Sequence, residues 1–222
     1  MERAMKTDSQ IKQDVINALK WNPEIKEEHI GITVHNAAVT LTGHVPTYWQ
    51  KRTAKETAKH VAEVKAVVDN IDVRLDSEMR TTDEGLAERI ANVLKWNVSV
   101  RGEGIKAEVK NGVVTLTGEV EWQHQRANIE RNIEHVGGVA NVISLITIKP
   151  RLTGSDVKKQ IREALERHAE IEASKITVKT LNGTVTLSGT VDSLAEMDRV
   201  ENAAWSAPGI SKLVNNLYVA SH

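Results

Sequence analysis

The chain has 222 residues and 24.5 kDa, is 40% hydrophobic and 27% charged, and its 29 basic and 30 acidic residues nearly cancel. That composition suits a soluble globular protein, excludes a disordered or collagen-like chain, and gives the chain as a whole no long-range attraction for nucleic acid or an acidic surface. No cysteine is present, which removes disulfides, thiolate nucleophiles and thiolate-held zinc or iron–sulfur centres and leaves the redox compartment unread.

The amino-terminal ten residues contain no apolar core, and no later run approaches the 18 or more apolar residues of a membrane span. As written the chain is expected in the cytoplasm, membrane-associated at most, and periplasmic only if a leader was removed. The first helical period follows: Ile11, Val15, Ala18 and Leu19 step by three and four, with Asp8 or Ser9 as the expected cap. Ile30, Ile32 and Val34 then alternate, and after a turn at Asn36-Ala37 so do Val39 and Leu41, closing on Gly43. The turn wants positive φ at both central positions, so Ala37 should cost it some stability. Ala54, Ala58 and Val61 mark a second helix, and Val67, Ile71 and Val73 a last strand.

The same order then returns twice. Leu86, Ile90, Val93 and Leu94 open the second round and Val157, Ile161, Ala164 and Leu165 the third, with Asp83 and Ser155 as expected caps. Hairpins are signalled by Asn111-Gly112 and Asn182-Gly183. Second helices carry Ile129, Ile133 and Val136, then Val200, Ala204 and Ala207. Last strands carry Val142, Ile146 and Ile148, then Leu213, Leu217 and Val219. Val39-Thr40-Leu41-Thr42-Gly43 recurs as Val114 to Gly118 after 75 residues and as Val185-Thr186-Leu187-Ser188-Gly189 after 71 more, and these offsets hold without a gap. The length difference falls in the connections around Asp76 to Thr82 and Pro150 to Gly154. The pattern predicts an α+β chain of three tandem αββαβ domains at 8–75, 83–149 and 154–220, each a three-stranded sheet with two helices on one face. Units under about 70 residues are marginal alone, so contacts among the three should matter.

This order, the Val-Thr-Leu-Thr-Gly strand and the Gly138-Val139 and Gly209-Ile210 steps before the last strands resemble the BON domain, named for bacterial osmotically induced and nodulation proteins. Repeat one departs at Glu63-Val64, which bears only on its local turn. The resemblance covers nearly the whole chain in three copies. It implies a non-catalytic module of envelope-stress, transport-associated and mechanosensitive proteins that binds phospholipid membrane or aids protein folding. Most such relatives are exported to the periplasm.

The repeated residues read as scaffold. His29, His35 and His44 do not recur in the other repeats and lack metal-site spacing, no GxSxG elbow is present, and the Asn-Gly pairs lack the lysine of a phosphate-binding loop. Neither catalysis, metal nor cofactor is expected. The strands carry Val, Thr, Ile and Leu where RNA-binding sheets carry stacking aromatics, so nucleic acid is not expected either.

The second helices diverge. In repeat one Lys51, Arg52, Lys55 and Lys59 against Glu56 give +3 beside Tyr48-Trp49, and Lys51, Lys55 and Lys59 share a helix face. Cations beside Trp and Tyr suit a lipid headgroup boundary, which makes Tyr48, Trp49, Lys51, Arg52, Lys55 and Lys59 candidates for anionic phospholipid; the alternative is a solvated helix face. In repeat three Glu196, Asp198 and Glu201 against Arg199 give −2. Opposite charges predict association between chains or docking between repeats of one chain. Homo-oligomeric assembly is thus the second functional expectation, with any protein client unidentified, and Trp21, Trp96, Trp122 and Trp205 are the interface candidates. For Trp21 and Trp96 the competing expectation is packing of the helix end against the sheet.

Overall fold

The computed structural model describes residues 6–23, 25, 29–75, 81–96, 104–149, 157–167, 173–207 and 209–220. Of the expected linkers, residues 76–80 and 150–154 lie outside them, as does the expected cap Ser155. Repeat one runs α1 (Asp8–Lys20), β1 (Ile30–His35), β2 (Ala38–Val45), α2 (Tyr48–Lys59) and β3 (Ala66–Val73). Repeat two runs α3 (Asp83–Trp96), β4 (Lys106–Lys110), β5 (Val113–Val120), α4 (Gln123–Glu134) and β6 (Asn141–Ile148). Repeat three runs α5 (Val157–Glu166), β7 (Ile176–Leu181), β8 (Thr184–Val191), α6 (Leu194–Trp205) and β9 (Lys212–Val219). The αββαβ order is therefore present three times.

Each sheet places its middle strand at the centre, antiparallel to the first and parallel to the third. The parallel pairing follows from the second helix, which carries the chain back over one face before the last strand. Both helices of a repeat cover that face. In repeat one Ile11, Val15 and Leu19 meet Val39, Leu41, Ala54, Ala58 and Ile71, all buried; Leu86, Ile90, Leu116, Ile129 and Ile133 fill the second core, and Ile161, Leu165, Leu187, Val200 and Ala204 the third. At roughly 1.5–3 kcal/mol for each large aliphatic side chain removed from water, each cluster holds its own unit together.

The strand-ending glycine is required by space as well as by φ. Gly43 has φ +115, and a Cβ there would stand 2.0 Å from the carbonyl oxygen of His29; at Gly189 it would stand 2.1 Å from that of Lys175. Only glycine lets the first strand's end pass so close.

The capping of the first helices differs from expectation by one residue. Thr7 caps α1, accepting from the Gln10 amide while the Gln10 side chain accepts from the Thr7 amide, and the Thr82 hydroxyl accepts from the Gly85 amide. Asp8 and Asp83 reach across to the hairpin turns instead. Asp8 accepts from Asn36 and Ala37 at 2.8 and 2.9 Å, and Asp83 from Asn111 and Gly112 at 2.7 and 3.0 Å. Those amide donors, Ala37 first, hold the Asp8 carboxyl below its usual value. The tie also holds a strained turn, because Ala37 stands at φ 61 where its equivalents are Gly112 and Gly183. Ala37→Gly is expected to raise stability by about 0.5–1 kcal/mol, read as a higher urea midpoint, since relief of the left-handed strain outweighs the extra freedom of the unfolded chain.

Candidate functional site

The three second helices meet head to tail. The Arg52 guanidinium on α2 pairs with the Glu134 carboxylate at the end of α4, and the Lys59 ammonium at the end of α2 pairs with Asp198 on α6. Subtracting the repeat offset of 75 turns Glu134 into position 59, and subtracting 146 turns Asp198 into position 52. Both seams therefore join position 52 of one repeat to position 59 of the next, in the order three to one and one to two.

The third seam needs Ala127 facing Trp205, and Trp205 indeed packs against the cores of repeats two and three together. Two further contacts repeat the relation: Tyr48 leans on the core of repeat two, and its equivalent Leu194 leans on the core of repeat one. The contacts link the three repeats pairwise in a closed three-membered cycle. Its seams contain one Arg-Glu pair, one Asp-Lys pair of opposite polarity and, between repeats two and three, Trp205 packed on the core of repeat two. The docking of oppositely charged helices expected from the sequence occurs within one chain.

The candidate lipid-binding residues are drawn into this arrangement. Tyr48 is half-buried with its hydroxyl beside the Val142 backbone, and burial raises its pKa. The Trp49 ring lies against His135, tilted by 31° with ring centroids 3.9 Å apart. Lys51 donates to the Ile71 carbonyl oxygen at 2.6 Å and lies 3.6 Å from Asp69. With Arg52 and Lys59 committed across the seams, Lys55 is the exposed cation of α2 that has no carboxylate partner among the described residues. The α2–α4 seam borders a solvent-open cleft of about 690 Å³ whose walls include Trp49, Arg52, Glu56, His60, Arg131 and Glu134.

Glu134 is the electrostatic centre of that seam. It is 4% exposed, and burial pushes its carboxyl above the ordinary value, while the Arg52 charge and hydrogen bond pull it back. At the C-cap of α2, His60 lies 4.0 Å from Asp198.

The tryptophans divide into two kinds. Trp205 is half-buried in the cycle, and Trp122, also half-buried, occupies the N-cap of α4 where Thr47 and Ser193 cap the equivalent helices; Gln125 reaches back to accept from the Glu121 and Trp122 amides. Trp21 and Trp96 are 87% and 73% exposed. That excludes packing of the helix end against the sheet. Trp21 is the C-cap of α1 and Trp96 the last residue of α3, directly after Lys20 and Lys95, and the Lys95 ammonium stands 6.0 Å from the Trp96 ring.

Two residues that carry a surface feature are absent from the sequence expectations. Ile143 and Leu145 on β6 are 43% and 58% exposed on the sheet face away from the helices. Leu145 stands where the other repeats have Asn70 and Asn216, a difference visible by laying the three repeats in register. Among the described residues no helix is long and apolar enough to cross a membrane.

The sequence matches the BON domain at residues 7–74, 82–150 and 153–221. It is 27% identical over 157 residues to the Osmotically-inducible protein Y of Escherichia coli (strain K12), covering 65% of this chain and 78% of that protein. It is 27% identical over 118 residues to an uncharacterized protein in the gshII 5'region of Anaplasma centrale, covering 50% and 78%. The C-terminal domain of CdsD, the structural protein of the type III secretion system of Chlamydia trachomatis, aligns over 98% of this chain and all of that one at 18% identity, with a TM-score of 0.27 too low to bear on this chain.

Proposed function

The chain belongs to the BON domain family, and we propose that it is a non-catalytic osmotic-stress protein that attaches peripherally to anionic phospholipid through Trp21 and Trp96. The osmotic assignment is supported by the Escherichia coli relative, which is named for osmotic induction. The attachment rests on one observation: two exposed indoles at equivalent positions, each beside a lysine. The two indoles occupy equivalent positions of repeats one and two, and Arg167 stands at that position in repeat three. Indole rings favour the headgroup boundary, and each lysine near an anionic surface adds about 1 kcal/mol. Either anchor alone is weak. Two on one rigid body bind together, because the second meets the surface at a high effective concentration.

The α2 contact has less charge to offer, because Lys51, Arg52 and Lys59 already face carboxylates. Pairing between chains through opposite second helices likewise has less charge to draw on, since Lys59 and Asp198 already meet inside one chain.

The test is co-sedimentation with phosphatidylcholine vesicles with and without phosphatidylglycerol, at low and physiological salt. Salt-sensitive binding that requires phosphatidylglycerol is expected, falling about tenfold with Trp21→Ala and again with Trp96→Ala. Binding that survives the double substitution overturns the site, and if it then responds to Lys55→Glu the contact returns to α2. Absence of binding at low salt overturns the lipid reading altogether.

A further inference from the structure

The cleft beside the α2–α4 seam carries one unmatched charge on each wall. Trp49, Thr53, Glu56 and His60 follow one another at three and four residues along α2 and its C-cap, and Arg131, Glu134 and His135 do so at the end of α4, so two helical stripes line the space of about 690 Å³. That volume falls within the range of about 300–1,000 Å³ typical of small-molecule sites.

Closure of the seams is what leaves the two charges unmatched. On a helix a charged side chain finds its counterion three or four residues away. For Glu56 those neighbours are Arg52 and Lys59, and both are drawn across the seams, to Glu134 and Asp198. His60, also four residues on, donates from Nδ1 to the Glu56 main-chain oxygen at 2.7 Å and lies 4.0 Å from Asp198 with its other nitrogen. For Arg131 the neighbour is Glu134, which is held by Arg52, while the adjacent Glu130 pairs with Arg126 at 2.8 Å. Among the described residues the half-buried Glu56 carboxylate is therefore left without a cation and the Arg131 guanidinium without a carboxylate. Thr53, on the same wall as Glu56, has a buried hydroxyl oxygen with no hydrogen-bond partner.

Arg52 and Glu134 cancel each other, so with its histidines neutral the cleft carries no net charge and a carboxylate on one wall faces a guanidinium on the other. A simple anion entering it meets Glu56, and a simple cation meets Arg131, each a repulsive contact. A molecule that bears both charges meets neither. We propose that this cleft binds a zwitterionic solute of amino-acid to dipeptide size, its ammonium at Glu56 and its carboxylate at Arg131, whose planar fork matches a carboxylate. Ala18, Trp49 and Val61 supply apolar wall for the body of the ligand. The site goes beyond the lipid reading and uses neither Trp21 nor Trp96.

The test is NMR titration of the isotope-labelled full chain at neutral pH with leucine and glycyl-leucine. Two half-charged controls accompany them: leucinamide, which lacks the carboxylate, and N-acetylleucine, which lacks the ammonium. Leucine and glycyl-leucine are expected to bind with dissociation constants of about 1–10 mM and to shift the Trp49, Thr53 and His135 amides, and each control to bind at least about tenfold more weakly. Glu56→Gln should weaken leucine about tenfold and leave N-acetylleucine unweakened; Arg131→Gln should weaken leucine as much and leave leucinamide unweakened. Neither side chain sits in a seam pair, so the melting curves should hold, and if a variant folds poorly the four ligands on the original protein still decide. No shift with either probe up to about 100 mM overturns the proposal. So does equal binding of leucine and its half-charged forms, and so does leucine binding that survives both substitutions.

Discussion

Arg52→Ala is expected to lower the unfolding free energy by about 2–3 kcal/mol at neutral pH and by much less below pH 4.5. The loss arises on the other side of the seam. Glu134 is all but sealed from water, and Arg52 is the cation that hydrogen-bonds it. Without that partner a carboxylate is left in a poorly solvating place, and it responds by holding its proton to higher pH.

The pH dependence follows from the direction of that shift. Burial raises the Glu134 carboxyl above its ordinary 4.5 in the folded chain, so the folded state binds a proton there more tightly than the unfolded one. Stability is therefore fully retained below 4.5 and declines as the pH rises through the folded value. Arg52 opposes the shift, and deleting it moves the folded value up and deepens the decline. Urea unfolding of the original protein and Arg52→Ala at several pH values reads this directly. Glu134→Gln in the Arg52→Ala background should flatten the added dependence and recover part of the loss. An Arg52→Ala penalty of equal size at acid and neutral pH would show that lost packing of the Arg52 stem, and not the buried charge, is responsible.

The sequence was most legible where the determinants are local. Helical and alternating periods, the strand-ending glycines and the Asn-Gly turns each depend on residues within a few positions, and three phased copies make the units plain. The caps were displaced by one residue for a physical reason: both Thr and Asp can accept at a helix start, and the turn that claims Asp8 and Asp83 lies 28 and 29 residues away. The charges of the second helices could be read, and so could their attraction, but not the choice of Glu134 for Arg52, because that depends on closure of the cycle. Trp21 and Trp96 admitted two readings because a helix-end Trp packs or projects according to what lies beyond it. Leu145 carried a readable signal in the comparison with Asn70 and Asn216, since a change of class at one position of a repeat marks a surface that differs.

Lys59→Glu and Asp198→Lys are each expected to cost about 2–3 kcal/mol, and the double exchange to recover most of the loss. Both side chains are about three-quarters buried, at 25% and 22% exposure, so like charges placed there are poorly screened. The deeper reason concerns the order of the repeats. Three units with one fold present the same two positions at every seam, and only the letters tell one seam from another. If repeat one docked onto another copy of itself, Arg52 would face Lys59; repeat two on itself would leave Glu134 against Ala127, a buried carboxylate with no cation. Reversing the cycle would bring Asp198 against Glu134. The observed order satisfies both ion pairs and gives the uncharged seam to Trp205. Specificity of this kind comes as much from penalties on wrong partners as from attraction to the right one. A double-mutant cycle by denaturant unfolding should thus give a coupling of about 2 kcal/mol or more between positions 59 and 198. Losses that simply add in the double variant would mean that the pair is incidental and that apolar contacts such as Leu194 on the core of repeat one fix the order of the repeats.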